Sequence, residues 1–165
     1  MKLRIISACV VSAVSALLAA NTFAYVHENG AYLEGNVGTN FASLSVFGLN
    51  ATAFNSVGGN INMGYQLNRY LAPEIGYTYY GTFGINNVDV AIKGIIPFDN
   101  RVSIFGKLGL GYIFAHGDNA ALPLLGAGIS YAVSNKWDIN AQAQGVTIGF
   151  VSIGLVSMGL TYHFD

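Results

Sequence analysis

The sequence predicts an all-β fold: an eight-stranded antiparallel transmembrane β-barrel, an up-and-down meander that follows a cleaved signal peptide. Three observations predict it. Charged residues make up only 9% of the 165-residue chain while hydrophobic residues reach 53%, where ordinary soluble domains carry about 25% charge. Apolar and polar residues alternate with a period of two in run after run, which marks strands with two unlike faces. Short polar turns alternate along the chain with longer connections, the asymmetry of a barrel built across an outer membrane.

A bilayer admits only structures that satisfy their own backbone, either helices or closed barrels. A spanning helix needs about 20 apolar residues in a row. The best stretch for one, GVTIGFVSIGLVSMGL at 145–160, is short and is broken by Gly or Ser every two or three residues. Its Val and Ile suit a strand. The 21 Gly, 10 Tyr and 10 Phe also argue against a helical bundle. A soluble sandwich would alternate too, but its wet face would carry more charge. Here the polar face is rich in small residues, as the crowded inside of a narrow barrel requires. A net charge of −1 gives no sign of a nucleic-acid partner.

The first element is the leader. Lys2 and Arg4 precede an apolar run over 5–20, and Thr22 and Ala24 place small residues where a signal peptidase reads. The run is short for a membrane anchor. Residues 1–24 are therefore expected to be a signal peptide, and 25–165 the barrel. Ile6, Ser7, Ala8 and Cys9 match a lipoprotein signal, but most of the apolar run lies after them. Cleavage after Ala24 removes the one Cys, so the exported chain needs no disulfide.

Eight strands follow, near 29–38, 57–67, 70–80, 87–98, 101–114, 121–132, 137–146 and 149–164. Each has about 10 residues or slightly more, as a tilted membrane strand needs. In the second, Val57, Ile61, Met63, Tyr65 and Leu67 share a face opposite Gly58, Asn60, Asn62, Gly64 and Gln66. In the seventh, Trp137, Ile139, Ala141 and Ala143 oppose Asp138, Asn140, Gln142 and Gln144. Tight turns are expected at 68–69, 99–100 and 134–136. Longer connections are expected at 39–56, 81–86 and 115–120, with a short one near Gly145. Tyr65, Tyr70, Phe98, Tyr131, Trp137, Tyr162 and Phe164 cluster towards the tight turns, and Tyr77, Tyr79, Tyr112, Phe114 and Phe150 towards the other end. Two aromatic belts flanking a lipid-facing band follow from this placement.

The stretch MGYQLNRYLAPEIGYTYYG at 63–81 resembles the transmembrane domain of the OmpA family and related opacity-type surface barrels, through Gly64, Tyr65, Gln66, Asn68, Tyr70, Glu74, Gly76, Tyr77 and Gly81. KLGLGY at 107–112, PLLGAGISYAVS at 123–134 and SMGLTYHF at 157–164 extend the resemblance over nearly all of the barrel. It implies integral residence in the bacterial outer membrane, among outer-membrane lipid and lipopolysaccharide. Larger members add a peptidoglycan-binding domain after the barrel; no such domain is expected from these residues. The ending, with Ser157, Gly159, Tyr162 and Phe164, resembles the signal that outer-membrane barrels present to their assembly machinery, after escort by periplasmic chaperones. Asp165 departs from that pattern, which usually ends on the aromatic.

Eight strands leave a lumen only wide enough for side chains. The inward list includes Glu34, Asn60, Asn62, Gln66, Glu74, Asp89, Lys93, Lys107, Asp138 and Gln142. Buried charges need partners. Counting from the turns at 68–69 and 99–100 puts Glu74, Lys93 and Lys107 at similar depth, so an interior salt-bridge network is expected around them, with Glu34 and Asp138 as further members. The resemblance implies the same for Glu74 and Lys93. Such a ladder plugs the lumen.

No catalytic residue, cofactor or metal is expected. His27, His116 and His163 lie far apart and show no metal-ligand spacing. A lipid A deacylase needs a serine hydrolase arrangement at the outer rim; His116 lies in a suitable loop, but no serine lies near it there. Two functions remain open. One is a structural barrel whose exposed loops contact host surfaces or other cells. The other is a narrow, porin-like conduit for small or hydrophobic solutes. The first follows from the resemblance and the plugged interior. The longest connection motivates the second, because Phe41, Leu44, Phe47 and Leu49 would form an exposed apolar contact; the favoured reading of that stretch is that it extends two strands beyond the membrane or packs over the barrel mouth.

Overall fold

Alternation is what lets this chain face two solvents at once. Successive side chains of a strand point to opposite sides of the sheet. A sheet whose outer side is apolar and whose inner side packs on itself can close and lose both edges. The computed structural model describes residues 29–46, 49–81, 84–115, 118–148 and 151–164. The expected leader at 1–24 lies outside them.

Eight strands occur in sequence: β1 (Gly30–Val46), β2 (Leu49–Gln66), β3 (Leu71–Tyr79), β4 (Asn86–Pro97), β5 (Val102–Ala115), β6 (Asp118–Ala132), β7 (Trp137–Ile148) and β8 (Val151–Phe164). Each pairs antiparallel with the next, and β8 returns to β1 to close the barrel. The closing ladder runs from Ala31↔Phe164 to Leu44↔Val151. The aromatic ending is thus held by a full set of cross-strand partners.

The two faces separate as the alternation requires. Val57, Met63, Tyr65, Leu108, Leu125, Met158 and Leu160 are exposed on the outside. Asn60, Asn62, Gln66, Asn140, Gln142 and Gln144 are buried inside. Trp137, Tyr162 and Phe164 stack in series at one rim, with ring centroids 4.8 and 5.0 Å apart. Tyr112 and Phe114 form an edge-to-face pair at 4.9 Å towards the other.

The connections depart from expectation. Instead of a long loop over 39–56, β1 and β2 pair onward to Val46↔Leu49, with a register shift at Asn40/Phe41. Nothing in that segment stops a strand: it has no charge, no Pro, and residues that tolerate an extended backbone. Likewise β5 and β6 pair up to Ala115↔Asp118. The β3–β4 turn keeps its expected place. Gly81 adopts φ 45 and Gly84 φ 58, and the Gly84 N–H donates to the Gly81 carbonyl at 3.0 Å. Gly81 is needed for space as well, since a Cβ there would lie 2.3 Å from the Val57 carbonyl oxygen.

The lumen is also less uniformly polar than expected. Ala91, Ile113, Leu122, Leu124 and Val146 form one buried apolar cluster. Tyr32, Ala72, Ile95 and Phe105 form another, nearer the tight turns. Tyr32 fills the space that Gly64 vacates: a Cβ on Gly64 would lie 2.3 Å from the Tyr32 ring. Gly64→Val should therefore destabilise the barrel by about 1–3 kcal/mol through overpacking. Gly35→Val is the control, because an added Cβ there meets nothing within 4 Å. Urea unfolding of both variants in lipid vesicles checks this; equal losses would refute the packing argument.

Candidate functional site

Four strands bring their charges to one level of the lumen. β1 carries Glu34, β3 carries Glu74, and β4 and β5 carry Lys93 and Lys107 as a directly opposed cross-strand pair. Two like charges facing each other would repel. Here the glutamates stand between them. Lys93 Nζ lies 3.1 Å from Glu34 Oε2 and 3.3 Å from Glu74 Oε1. Lys107 Nζ lies 3.2 Å from Glu34 Oε1 and 2.9 Å from Glu74 Oε2. Each ammonium touches both carboxylates, so the four side chains close a ring of alternating sign.

Neutral groups complete the ring. Asn36, Asn62 and Gln142 each donate an amide N–H to Glu34 Oε1, at 2.9, 2.9 and 2.8 Å. The Tyr32 hydroxyl donates to Glu74 Oε1. Lys93 Nζ sits 4.3 Å from the Phe105 ring centroid and 5.1 Å from that of Tyr32, close enough for cation–π attraction. Glu34 has no exposure at all. Charges this deep persist only when every lone pair and proton has a partner.

Tyr32 and Phe105 were missed in the sequence. Tyr32 lies two residues before Glu34, and Phe105 two before Lys107, so the same period of two places them inside. The inward list drawn from charged and amide residues alone does not include them.

Asp138 does not join the ring. It sits at the mouth near the tight turns, with His163 Nε2 3.0 Å from its Oδ2 and Ser130 Oγ at 3.4 Å. Depth explains this: Asp138 is the second residue of β7, several residues short of the level of Glu34. The Tyr32 and His163 rings lie 5.6 Å apart, linking the mouth to the ring. Along β8, Ser157, Thr161 and His163 are buried, while Met158, Leu160 and Phe164 are exposed.

The residues expected to form an exposed contact lie elsewhere than in a loop. Phe41 is half-buried in β1, against Gly154. Leu44 and Leu49 belong to the strands of the extended hairpin. Phe47 lies outside the described residues, as do His27 and His116.

The outer membrane protein beta-barrel domain model matches residues 10–164. The chain belongs to that family. Among curated proteins, Outer membrane protein A of Serratia marcescens is 26% identical over 141 residues, which cover 66% of this chain. The match spans 39% of that relative's length. Among solved structures, Neisserial surface protein A shares 23% identity with a TM-score of 0.57, covering 84% of this chain and 99% of its own. Ail of Yersinia pestis shares 18% identity with a TM-score of 0.54, covering 82% and 99%; it has also been solved in complex with the heparin analogue sucrose octasulfate. These likenesses show the fold. The protein is a small integral β-barrel of the outer membrane, with its exposed apolar wall against lipid.

The ring yields a direct test. Lys107→Met leaves two buried carboxylates sharing one ammonium and should destabilise the barrel by about 3–5 kcal/mol. Adding Glu74→Gln restores the charge balance of the ring and should recover a large part of that loss. Urea titration followed through Trp137, the single Trp, measures both. A double variant no better than Lys107→Met would show that pairing is not what holds these charges.

Proposed function

We propose that this protein is a closed, structural outer-membrane barrel whose outward hairpins make contacts with other surfaces. The observation that carries the reading is the ring of Glu34, Lys93, Glu74 and Lys107, which occupies the lumen of a barrel already narrow enough for side chains to fill. Apolar clusters on both sides of the ring support it. Ser157, Gly159, Tyr162 and Phe164 serve in this reading as the terminal strand presented to the barrel assembly machinery. The alternative of a narrow conduit for solutes requires the ring to part.

The contact surface is assigned to the β1–β2 hairpin. The β2–β3 ladder ends at Gly59↔Tyr79, while β2 continues to Leu49. Among the described residues, Leu49–Phe54 and Ser56–Gly58 therefore pair only with β1. An unpaired strand edge can accept an extended segment from another chain. Charge narrows the partner class. Residues 39–56, 75–88 and 139–156 contain no Asp, Glu, Lys or Arg, and 108–122 contain only Asp118. A sulfated polyanion of the kind bound to Ail would find no Lys or Arg on these hairpins. The supported partner is a neutral or apolar polypeptide surface.

In a planar bilayer the refolded protein should pass no steady current; discrete, stable conductance steps would overturn the closed reading. Cells displaying a variant with residues 44–50 replaced by Gly and Ser should lose attachment to a host-cell layer relative to the natural sequence. Attachment at the same level would place the contact elsewhere.

A further inference from the structure

Outward of the ring, the lumen carries a charge that its own residues leave unbalanced. β4 buries a third carboxylate there, Asp89, at 4% exposure. Among the described residues, Lys93 and Lys107 are the cations at this level of the lumen, and both ammoniums already bridge Glu34 and Glu74. Among the described residues, the side-chain hydrogen bond Asp89 receives is from Asn87 Nδ2, at 2.9 Å. A buried charge without its own counter-charge is costly.

The surroundings are rich in oxygen and short of partners. Cross-strand register sets Asn60, Thr78 and Asn87 in one inward row, and Asn62, Gly76, Asp89 and Gly111 in the next. The two glycines leave room that amide and carboxylate oxygens enter. Asn62 Oδ1 and Asp89 Oδ1 come within 2.4 and 2.7 Å of where a Gly76 Cβ would sit, and Asn87 Oδ1 within 2.4 Å of a Gly111 Cβ. Asn60 is 3% exposed, yet neither of its amide atoms has a partner. Asn87 Oδ1 and the Tyr80 hydroxyl are also unpartnered, in residues with no exposure. Tyr80 follows Thr78 by the same period of two and is fully buried on the lumen side. Buried polar atoms in native proteins are nearly always satisfied by protein, water or an ion.

One surplus negative charge, one carboxylate and several neutral oxygens match a monovalent hard cation. A calcium ion takes six to eight oxygens, with carboxylates prominent among them. Among the described residues, no three His, Cys, Asp or Glu side chains group to hold a metal ion. We propose that Asp89, with Asn60, Asn87 and Tyr80, binds one sodium or potassium ion in the outer half of the lumen, with water completing its shell. The ion balances the third carboxylate and leaves the ring neutral.

The full barrel refolded in lipid vesicles tests this with potassium chloride against N-methylglucamine chloride at equal ionic strength, the organic cation being too large to enter. The unfolding midpoint should be higher in potassium, and Asp89→Asn should abolish the difference. In parallel, crystals of the natural sequence grown in rubidium chloride should show an anomalous peak beside Asp89. Equal midpoints of the natural sequence in the two salts overturn the proposal, and this comparison needs no variant. A midpoint that depends on pH alike in both salts assigns a proton to Asp89 and overturns it too. A lumen without an anomalous peak does the same.

Discussion

The burial of Glu34 sets the terms for the rest of the lumen. A carboxylate with no exposure is tolerable only where protein groups replace the water it has lost. Five side chains do so: Lys93, Lys107, Asn36, Asn62 and Gln142. They come from β4, β5, β1, β2 and β7, so one carboxylate couples strands that are far apart in sequence. Such a hub stabilises less than its contacts suggest, because desolvation offsets much of the Coulomb attraction. Its larger effect is on specificity. A slip of one residue in β4 or β5 would turn a lysine into lipid, and the cost of that fixes the register of the wall.

The wall was legible residue by residue. A period of two in 57–67 and 137–144 assigned each side chain to lipid or lumen, because a narrow closed sheet offers only those two environments. Glu74, Lys93 and Lys107 could be brought to one level by counting from the tight turns, since each residue of a strand advances a nearly constant distance. The ends of the strands were less readable. Residues 39–56 read as a loop because their alternation weakens, yet weak alternation of uncharged, extended-compatible residues does not prevent pairing. The register shift at Asn40/Phe41 places one extra residue on β2, so the ladder continues without a strict period of two.

Interior aromatics were legible only by parity with Glu34 and Lys107, and the position of Asp138 was not legible. Composition says that Tyr and Phe are abundant but not which ones face inward, and rings at membrane rims are the stronger prior. Tyr32 instead bonds to Glu74 and supports Lys93 from behind. Asp138 was grouped with the other inward charges on face alone. Face is a matter of parity along one strand, whereas contact also requires equal depth, and depth depends on the stagger between neighbouring strands.

The ring also decides where function can reside. A solute crossing the lumen must separate Lys93 and Lys107 from both glutamates and displace the Phe105 ring beside them. Leaving one member of a buried pair uncompensated costs about 3–5 kcal/mol, and every 1.4 kcal/mol is about a factor of ten in population. Open barrels would then be roughly one in a hundred to one in several thousand, before the apolar clusters are disturbed. The outward wall faces lipid, and in the proposed reading the lumen is closed. What remains free to vary in shape and chemistry is the hairpin end, where β1 and β2 outrun their neighbours and where the chain places almost no charge. In the proposed reading, a contact made there draws on backbone hydrogen bonding and shape rather than on ion pairing.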